Sequence, residues 1–144
     1  MKKLIYVLII LISYTAYSEE KWEFIDSIND ISINSVKFID FDYNDNLYLY
    51  ASETLFKKDA INEQWLILAN EDIYPDHKYD NAFSINNCYF SNDKKVVWGA
   101  SQSGGLFKYS LDSGKLSIIK GEKTYDKVLG IAVDKNDNVW FASR

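Results

Sequence analysis

The chain has 144 residues, enough for one ordinary domain, and is 47% hydrophobic and 16% aromatic, with only six Gly and one Pro. Collagen-like and low-complexity classes are thereby excluded, and eleven Tyr, eight Phe and four Trp set among Asn/Asp punctuation point to β structure rather than a helical bundle. A net charge of −5 leaves no basic stripe for nucleic acid, and the lone Cys88 leaves no internal disulfide, so stability must come from packing.

The chain opens with Lys2 and Lys3, the apolar run Leu4–Ile12 and the small or polar residues Ser13–Ser18. This is the pattern of a signal peptide cleaved after Ala16-x-Ser18. The apolar run is shorter than the roughly 18–20 residues that span a bilayer comfortably, and an uncleaved anchor is the alternative. Removing residues 1–18 takes away two Lys and no acid, leaving a mature chain of net charge −7. The expected location is therefore periplasmic, extracellular or at the cell surface. Trp22–Ile25 then reads as an outermost strand with no blade before it.

Beyond it the sequence repeats. Asn46–Ser52, Lys95–Ser101 and Asn138–Ser143 are versions of one segment, with Ala51, Ala100 and Ala142 spaced by 49 and 42 residues. Leu55–Lys57 recurs as Leu106–Lys108, and Trp65–Leu68 as Leu116–Ile119. Each period holds four strand candidates, clearest at Ile85–Phe90, Val96–Ala100, Gly105–Tyr109 and Leu116–Ile119. Asn92-Asp93, Gly104-Gly105 and Asp112–Gly114 supply the turns between them. Four antiparallel strands every 40–50 residues, roughly, is the period of a β-propeller blade. Val128–Val133 is continuously apolar, as suits an inner strand covered on both faces. Asp134–Asn138 forms the following turn, with Asp137 or Asn138 at positive φ.

Ile131–Asp134, the turn, and Trp140–Ser143 together resemble the two-component regulator propeller family, and Gly104–Tyr109 is similar to the strand that normally follows. Trp98, Trp140, Gly104, Gly105 and Leu106 are the repeat residues of that pattern. Relative to it, Asp137 replaces the turn Gly, Leu49 stands at the Trp position of the first unit, and that unit's turn is one residue longer. The expectation is an all-β chain of four-stranded antiparallel blades after a signal peptide at 1–18. A partial propeller would occupy 19–144, with repeats at about 33–68, 82–119 and a shortened 128–144. About two and a half blades make an incomplete ring: a fragment of a longer gene product, because a blade cut mid-sheet leaves an unpaired edge, with assembly of the ring from several chains as the alternative. The resemblance implies blades outside the membrane followed by a membrane helix and cytoplasmic signalling domains.

The candidate chemistry is sparse. The spacing between repeats is widest at Asn70–Asn81, a connection between blades, where Tyr74, His77 and Tyr79 could stack on or hydrogen-bond a ligand; the alternative is a solvated acidic loop. Asp40, Asp42 and Asn44 alternate as calcium ligands would, but Asp45 replaces the required Gly and Ala51 the bidentate Glu, so the segment reads as a hairpin turn. Asp134, Asn136 and Asn138 fail likewise. Ser110–Gly114 echoes the start of a sialidase Asp-box, itself a structural turn. With His77 the only histidine and no Gly-x-Ser-x-Gly elbow, the sequence predicts no catalytic residue, metal or cofactor. Cys88, Trp98 and Trp140 read as packing residues. The expected function is an exported binding module, the ligand-sensing end of a signalling protein, with a small molecule, glycan or protein as partner. Nucleic acid is excluded, and contact with a membrane comes only through the signal segment or a downstream region. An exported propeller enzyme (a polysaccharide lyase or hydrolase) and a non-catalytic surface scaffold are the alternatives.

Overall fold

The computed structural model describes residues 24–75, 82–101, 105–119 and 128–143, and every regular element of any length among them is a strand. A short hairpin, β1 (Ser27–Ile28) and β2 (Ile31–Ser32), precedes two four-stranded antiparallel sheets. The first holds β3 (Val36–Phe41), β4 (Leu47–Ala51), β5 (Thr54–Lys58) and β6 (Trp65–Ala69) in chain order. The second holds β7 (Ile85–Phe90), β8 (Val96–Ser101), β9 (Gly105–Ser110) and β10 (Lys115–Ile119). A two-stranded sheet, β11 (Val128–Val133) and β12 (Val139–Ser143), follows. These are propeller blades, two of four strands and a third of two, and they do not close into a ring. No helix among the described residues is long and apolar enough to cross a membrane.

The blades form because each sheet alternates two apolar faces. In the second blade, Cys88, Phe90, Val97, Phe107, Tyr109 and Leu116 lie on one face and join Phe38, Tyr48, Tyr50 and Leu55 of the first blade in one buried cluster. Phe38 and Tyr48 meet Phe90 edge-on at 5.3 and 5.2 Å. The opposite face of the second blade carries Trp98, Ala100 and Leu106, which pack against Val128, Ile131 and Val139 of the third. The outward face of the first blade, with Leu49, Ala51 and Phe56, is covered in part by Ile25, Ile28, Ile31 and Ile33 around the short hairpin. Burying these side chains, each contributing roughly 1.5–3 kcal/mol, is what stacks the sheets.

Tight turns set the strand ends. Asn29-Asp30 and Ser52-Glu53 are two-residue hairpin loops with both residues at positive φ, the geometry that matches strand twist. Ser52 Oγ donates to the Ser32 carbonyl at 2.7 Å and accepts the Asn34 amide at 3.0 Å, fixing the short hairpin to the first blade. Asp137 has φ 61°, as its turn demands, and Asp45 and Lys94 take the same conformation in the other two blades.

Three expectations need correction. Phe24 and Ile25 lie outside any strand; the first pairing runs through Ser27–Ile28 instead, while Trp22 and Glu23 fall outside the described residues. Val128–Val133 is covered on one face only: Val128 and Ile131 are buried, whereas Leu129 and Ala132 are exposed, because no described element packs beyond them. The first repeat was also misaligned. Phe41 pairs with Leu47 and Val133 with Val139, so both turns have equal length and Tyr48, not Leu49, stands where Trp140 does. The longer turn belongs to the second blade, where Phe90 pairs with Val97.

Candidate functional site

The innermost strands β3, β7 and β11 lie side by side, and each carries a β-bulge near its start: at Lys37 between Val36 and Phe38, at Asn86 between Ile85 and Asn87, and at Leu129 between Val128 and Gly130. A bulge inserts an extra residue and re-aims its side chain, which is why bulges gather beside binding sites. Here they place Lys37 and Asn86 at a cleft of about 190 Å³ between the first two blades. Its walls include Ser35, Tyr50, Glu53 and Ser84. The cleft opens at the end of the sheets from which the connection between blades departs. Tyr50 is almost fully buried, and its hydroxyl donates to the Phe83 carbonyl at 2.5 Å, so that group braces the floor. Burial pushes the Tyr50 phenol well above its ordinary pKa, keeping it a neutral donor. Lys37, Glu53 and two serine hydroxyls therefore offer both charges and several hydrogen-bonding groups around a recess sized for a small polar group.

Of the residues that the sequence singled out for ligand contact, Tyr74 is half-buried. Its hydroxyl donates to the Gly114 carbonyl at 2.8 Å, and its ring packs on the cluster between the first two blades. Gly114 lies in the β9–β10 turn, at the opposite end of the sheet from the cleft, so Tyr74 ties the connection back onto the second blade. His77 and Tyr79 lie outside the described residues, as does Gly104. Gly105 starts β9 at φ 84°, and Leu106 is buried against the third blade. Trp98 is half-buried with Lys108 Nζ at 5.1 Å from its ring centre, and Trp140 is 64% exposed. The lining residues Lys37 and Asn86 were not anticipated, because a bulged position has no residue signature.

The opposite end of the sheets is closed by its own polar groups. Asp42 accepts the Asn44 and Asn46 amides at 2.8 and 3.0 Å, Asn46 Nδ2 at 2.9 Å and the Tyr48 hydroxyl at 3.2 Å. Asp134 repeats the arrangement with Asn136, Asn138 and the Trp140 indole N–H. Those bonds, led by the Asn138 side chain and Trp140, bring the Asp134 pKa down to about 2. Partial burial opposes the charge of Asp42, yet its hydrogen bonds outweigh burial and lower its pKa too. Carboxylates satisfied by four donors are turn anchors, with no valence left for a cation. Among the described residues no group of three or more His, Cys, Asp or Glu could hold a metal.

This end also links the blades. The Tyr43 hydroxyl donates to the Asn92 carbonyl at 2.7 Å, and Asn92 donates its amide and Nδ2 to Asp137 Oδ1 at 2.7 and 3.0 Å. One ladder of polar contacts thus runs across three successive turns, reinforced by the Lys94–Asp40 ion pair.

No family model and no curated protein matches the chain. Solved structures do. The extracellular domain of a protein described as a hybrid two component system from B. thetaiotaomicron superposes with a TM-score of 0.58 at 21% identity, over 77% of this chain and 16% of that one. The extracellular domain of a one component system from the same organism gives 0.60 at 18% identity, over 83% and 15%. A chain of the mitotic checkpoint complex gives 0.55 at 12% identity, over 90% and 40%. The likeness is one of fold. The chain spans about one-sixth of the length of the two bacterial domains and less than half of the third.

Proposed function

We propose that the chain is part of an exported β-propeller that binds a ligand for a signalling protein, with the bulge-lined cleft as a point of ligand contact. The observation that carries the reading is the pairing of Lys37 and Asn86. Two equivalent bulges in adjacent blades turn polar side chains into one recess, at the end of the sheets where the inner strands begin. The two extracellular domains that share the fold support export and a sensing role. A ligand that binds two conformations of the whole protein unequally would transmit a signal by shifting their populations. The partner is a small molecule, a glycan or the end of a peptide, because a recess of this size admits one polar group of a larger ligand.

The test is a thermal-shift and calorimetric screen of the full chain against panels of small polar metabolites, oligosaccharides and short peptides. A true ligand at 100 times its Kd adds about 2.7 kcal/mol of stability, a shift of several °C. Lys37→Ala and Asn86→Ala should each weaken binding by about 3–10-fold, the worth of one net hydrogen bond, while leaving the unliganded melting temperature nearly unchanged. Chemical turnover of the bound compound would replace the sensing reading with an enzymatic one. Binding unaffected by either substitution would remove the cleft from the reading.

A further inference from the structure

The cleft between the first two blades holds opposite charges that the fold leaves uncompensated. Lys37 enters it from the bulge of the inner strand β3 and Glu53 from the β4–β5 turn, facing Ser84 and Asn86 of the second blade. Among the described residues neither Lys37 nor Glu53 has a hydrogen-bond or ion-pair partner, and although they line one cleft they do not pair with each other. The Ser35 and Ser84 hydroxyls are unengaged in the same way. The remaining polar groups of the lining are already committed: the Tyr50 hydroxyl donates to Phe83, and Ser52 Oγ holds Ser32 and Asn34. The cleft of about 310 Å³ at the opposite end of the same two blades is lined by both charges too. There, however, Lys94 pairs with Asp40, Lys95 with Asp112 at 3.4 Å and Lys57 with Asp59 at 3.8 Å, while Asp42 is satisfied by its own turn. That cleft is neutralised from within, whereas the bulge-lined one keeps a charge of each sign for an outside partner.

Resting on the reading of this cleft as a ligand contact, we propose that its ligand is a free α-amino acid bound as the zwitterion. The carboxylate sits on Lys37 and the ammonium on Glu53, and the Ser35 and Ser84 hydroxyls, able to donate or accept, complete the hydrogen bonds. An α-amino acid carries its two charges on neighbouring atoms of one small skeleton, which suits a recess of about 190 Å³. A longer peptide sets its end charges too far apart, since each extended residue adds about 3.3 Å. A neutral sugar would take water from both protein charges and pair neither, which is costly.

Calorimetry of the full chain with the common L-amino acids, and with the N-acetyl and the amide form of each one that binds, tests this. At least one free amino acid should bind. Acetylation removes the ammonium and amidation the carboxylate, so each should weaken binding by about 10-fold, the worth of one charge-assisted contact in a partly exposed cleft. The decisive result is the crossed pattern. Glu53→Gln should cost about 10-fold for the free amino acid and nothing for its N-acetyl form, and Lys37→Gln about 10-fold for the free amino acid and nothing for its amide. Both side chains are exposed, so each variant should keep the wild-type circular dichroism, and a general loss of structure would not discriminate between the derivatives. Free, acetylated and amidated forms that bind alike overturn the proposal. So does an oligosaccharide or a peptide that binds where the amino acids fail and is weakened by Asn86→Ala, an outcome that leaves the cleft as a ligand contact. If none of these compounds binds, the proposal and the reading of the cleft fall together.

Discussion

Replacing Phe107 with Ala tests the claim that separate sheets share one interior. Phe107 sits on β9, is fully buried, and meets the rings of Tyr50 and Phe83 edge-on at 6.2 and 5.9 Å. Its partners belong to the first blade and to the connection, so truncation strips contacts from three segments at once. Deleting a buried Phe costs about 3–5 kcal/mol through lost transfer energy and the cavity left behind. Roughly 0.5–1.5 kcal/mol of that comes from each aromatic pair. With a urea m-value of about 1–3 kcal/mol/M, the unfolding midpoint should fall by at least about 1 M. Should the Ala variant be unfolded at the outset, Phe107→Leu, which keeps much of the volume, should cost about 1–2 kcal/mol and remain measurable. Tryptophan fluorescence and far-UV circular dichroism should report one coincident transition, since the first and second blades cannot open separately without exposing the same cluster. A midpoint change below about 0.3 M, or a wild-type transition that resolves into two, would refute the shared interior.

Other measurements reach different parts of the argument. The Asp134 carboxyl, held at about 2 against an ordinary 3.8, binds its proton more weakly in the folded chain than in the unfolded one. The stability it contributes is therefore present above about pH 4 and lost as pH falls from there towards 2, and a carboxyl NMR titration midpoint near 4 would contradict this. Gly99→Ala should destabilise by about 1–3 kcal/mol, because its Cβ would lie 3.0 and 3.2 Å from Ile85 carbons and 3.3 Å from Phe107 Cβ. Gly130→Ala meets nothing within 4 Å and should change the melting free energy by less than about 0.5 kcal/mol. Cys88 is buried, which pushes its thiol pKa up, so disulfide reagents at mildly alkaline pH should label it only as the chain unfolds. Rapid stoichiometric labelling of the folded chain would show the inner strand to be open.

The strands were legible because turn chemistry and period-two patterning agree in this chain. β7 and β11 fall on the residues expected, and β8, β9 and β10 differ from expectation by one residue each. The alignment of the first repeat was not legible. Ala51-Ser52 looks like Ala142-Ser143, and matching them forces an extra residue into the first turn. Hydrogen bonding decides otherwise: Asp42 holds Asn46 and Tyr48 as Asp134 holds Asn138 and Trp140, at the same separations of four and six residues. A comparison anchored on the acid rather than on the small residues would have found Tyr48. The cleft was hidden for a different reason. Lys37 and Asn86 share nothing as side chains, and only strand pairing reveals that each occupies the extra position of its bulge. Tyr74 was recognisable as an aromatic in the variable connection, but the direction of its side chain depends on Gly114, forty residues away.

The equivalent residues Tyr48, Trp98 and Trp140 separate what a blade does alone from what its neighbour adds. Tyr48 is 3% exposed beneath Phe90, Trp98 is half-buried against the third blade, and Trp140 is 64% exposed. Their burial follows what lies beyond each sheet, yet their orientation does not. The Tyr48 hydroxyl and the Trp140 indole N–H reach the hairpin Asp of their own blade in the same way, whether covered or bare. In the second blade Ser91 stands at the position of that Asp, and Trp98 sits instead beside the Lys108 ammonium. Each sheet therefore fixes its broad aromatic surface by contacts within itself, so the side-chain entropy of ordering that surface is spent before a neighbour arrives. A second sheet meeting such a surface gains most of the apolar burial with little left to order, and blades that share so few residues can stack on one another for that reason.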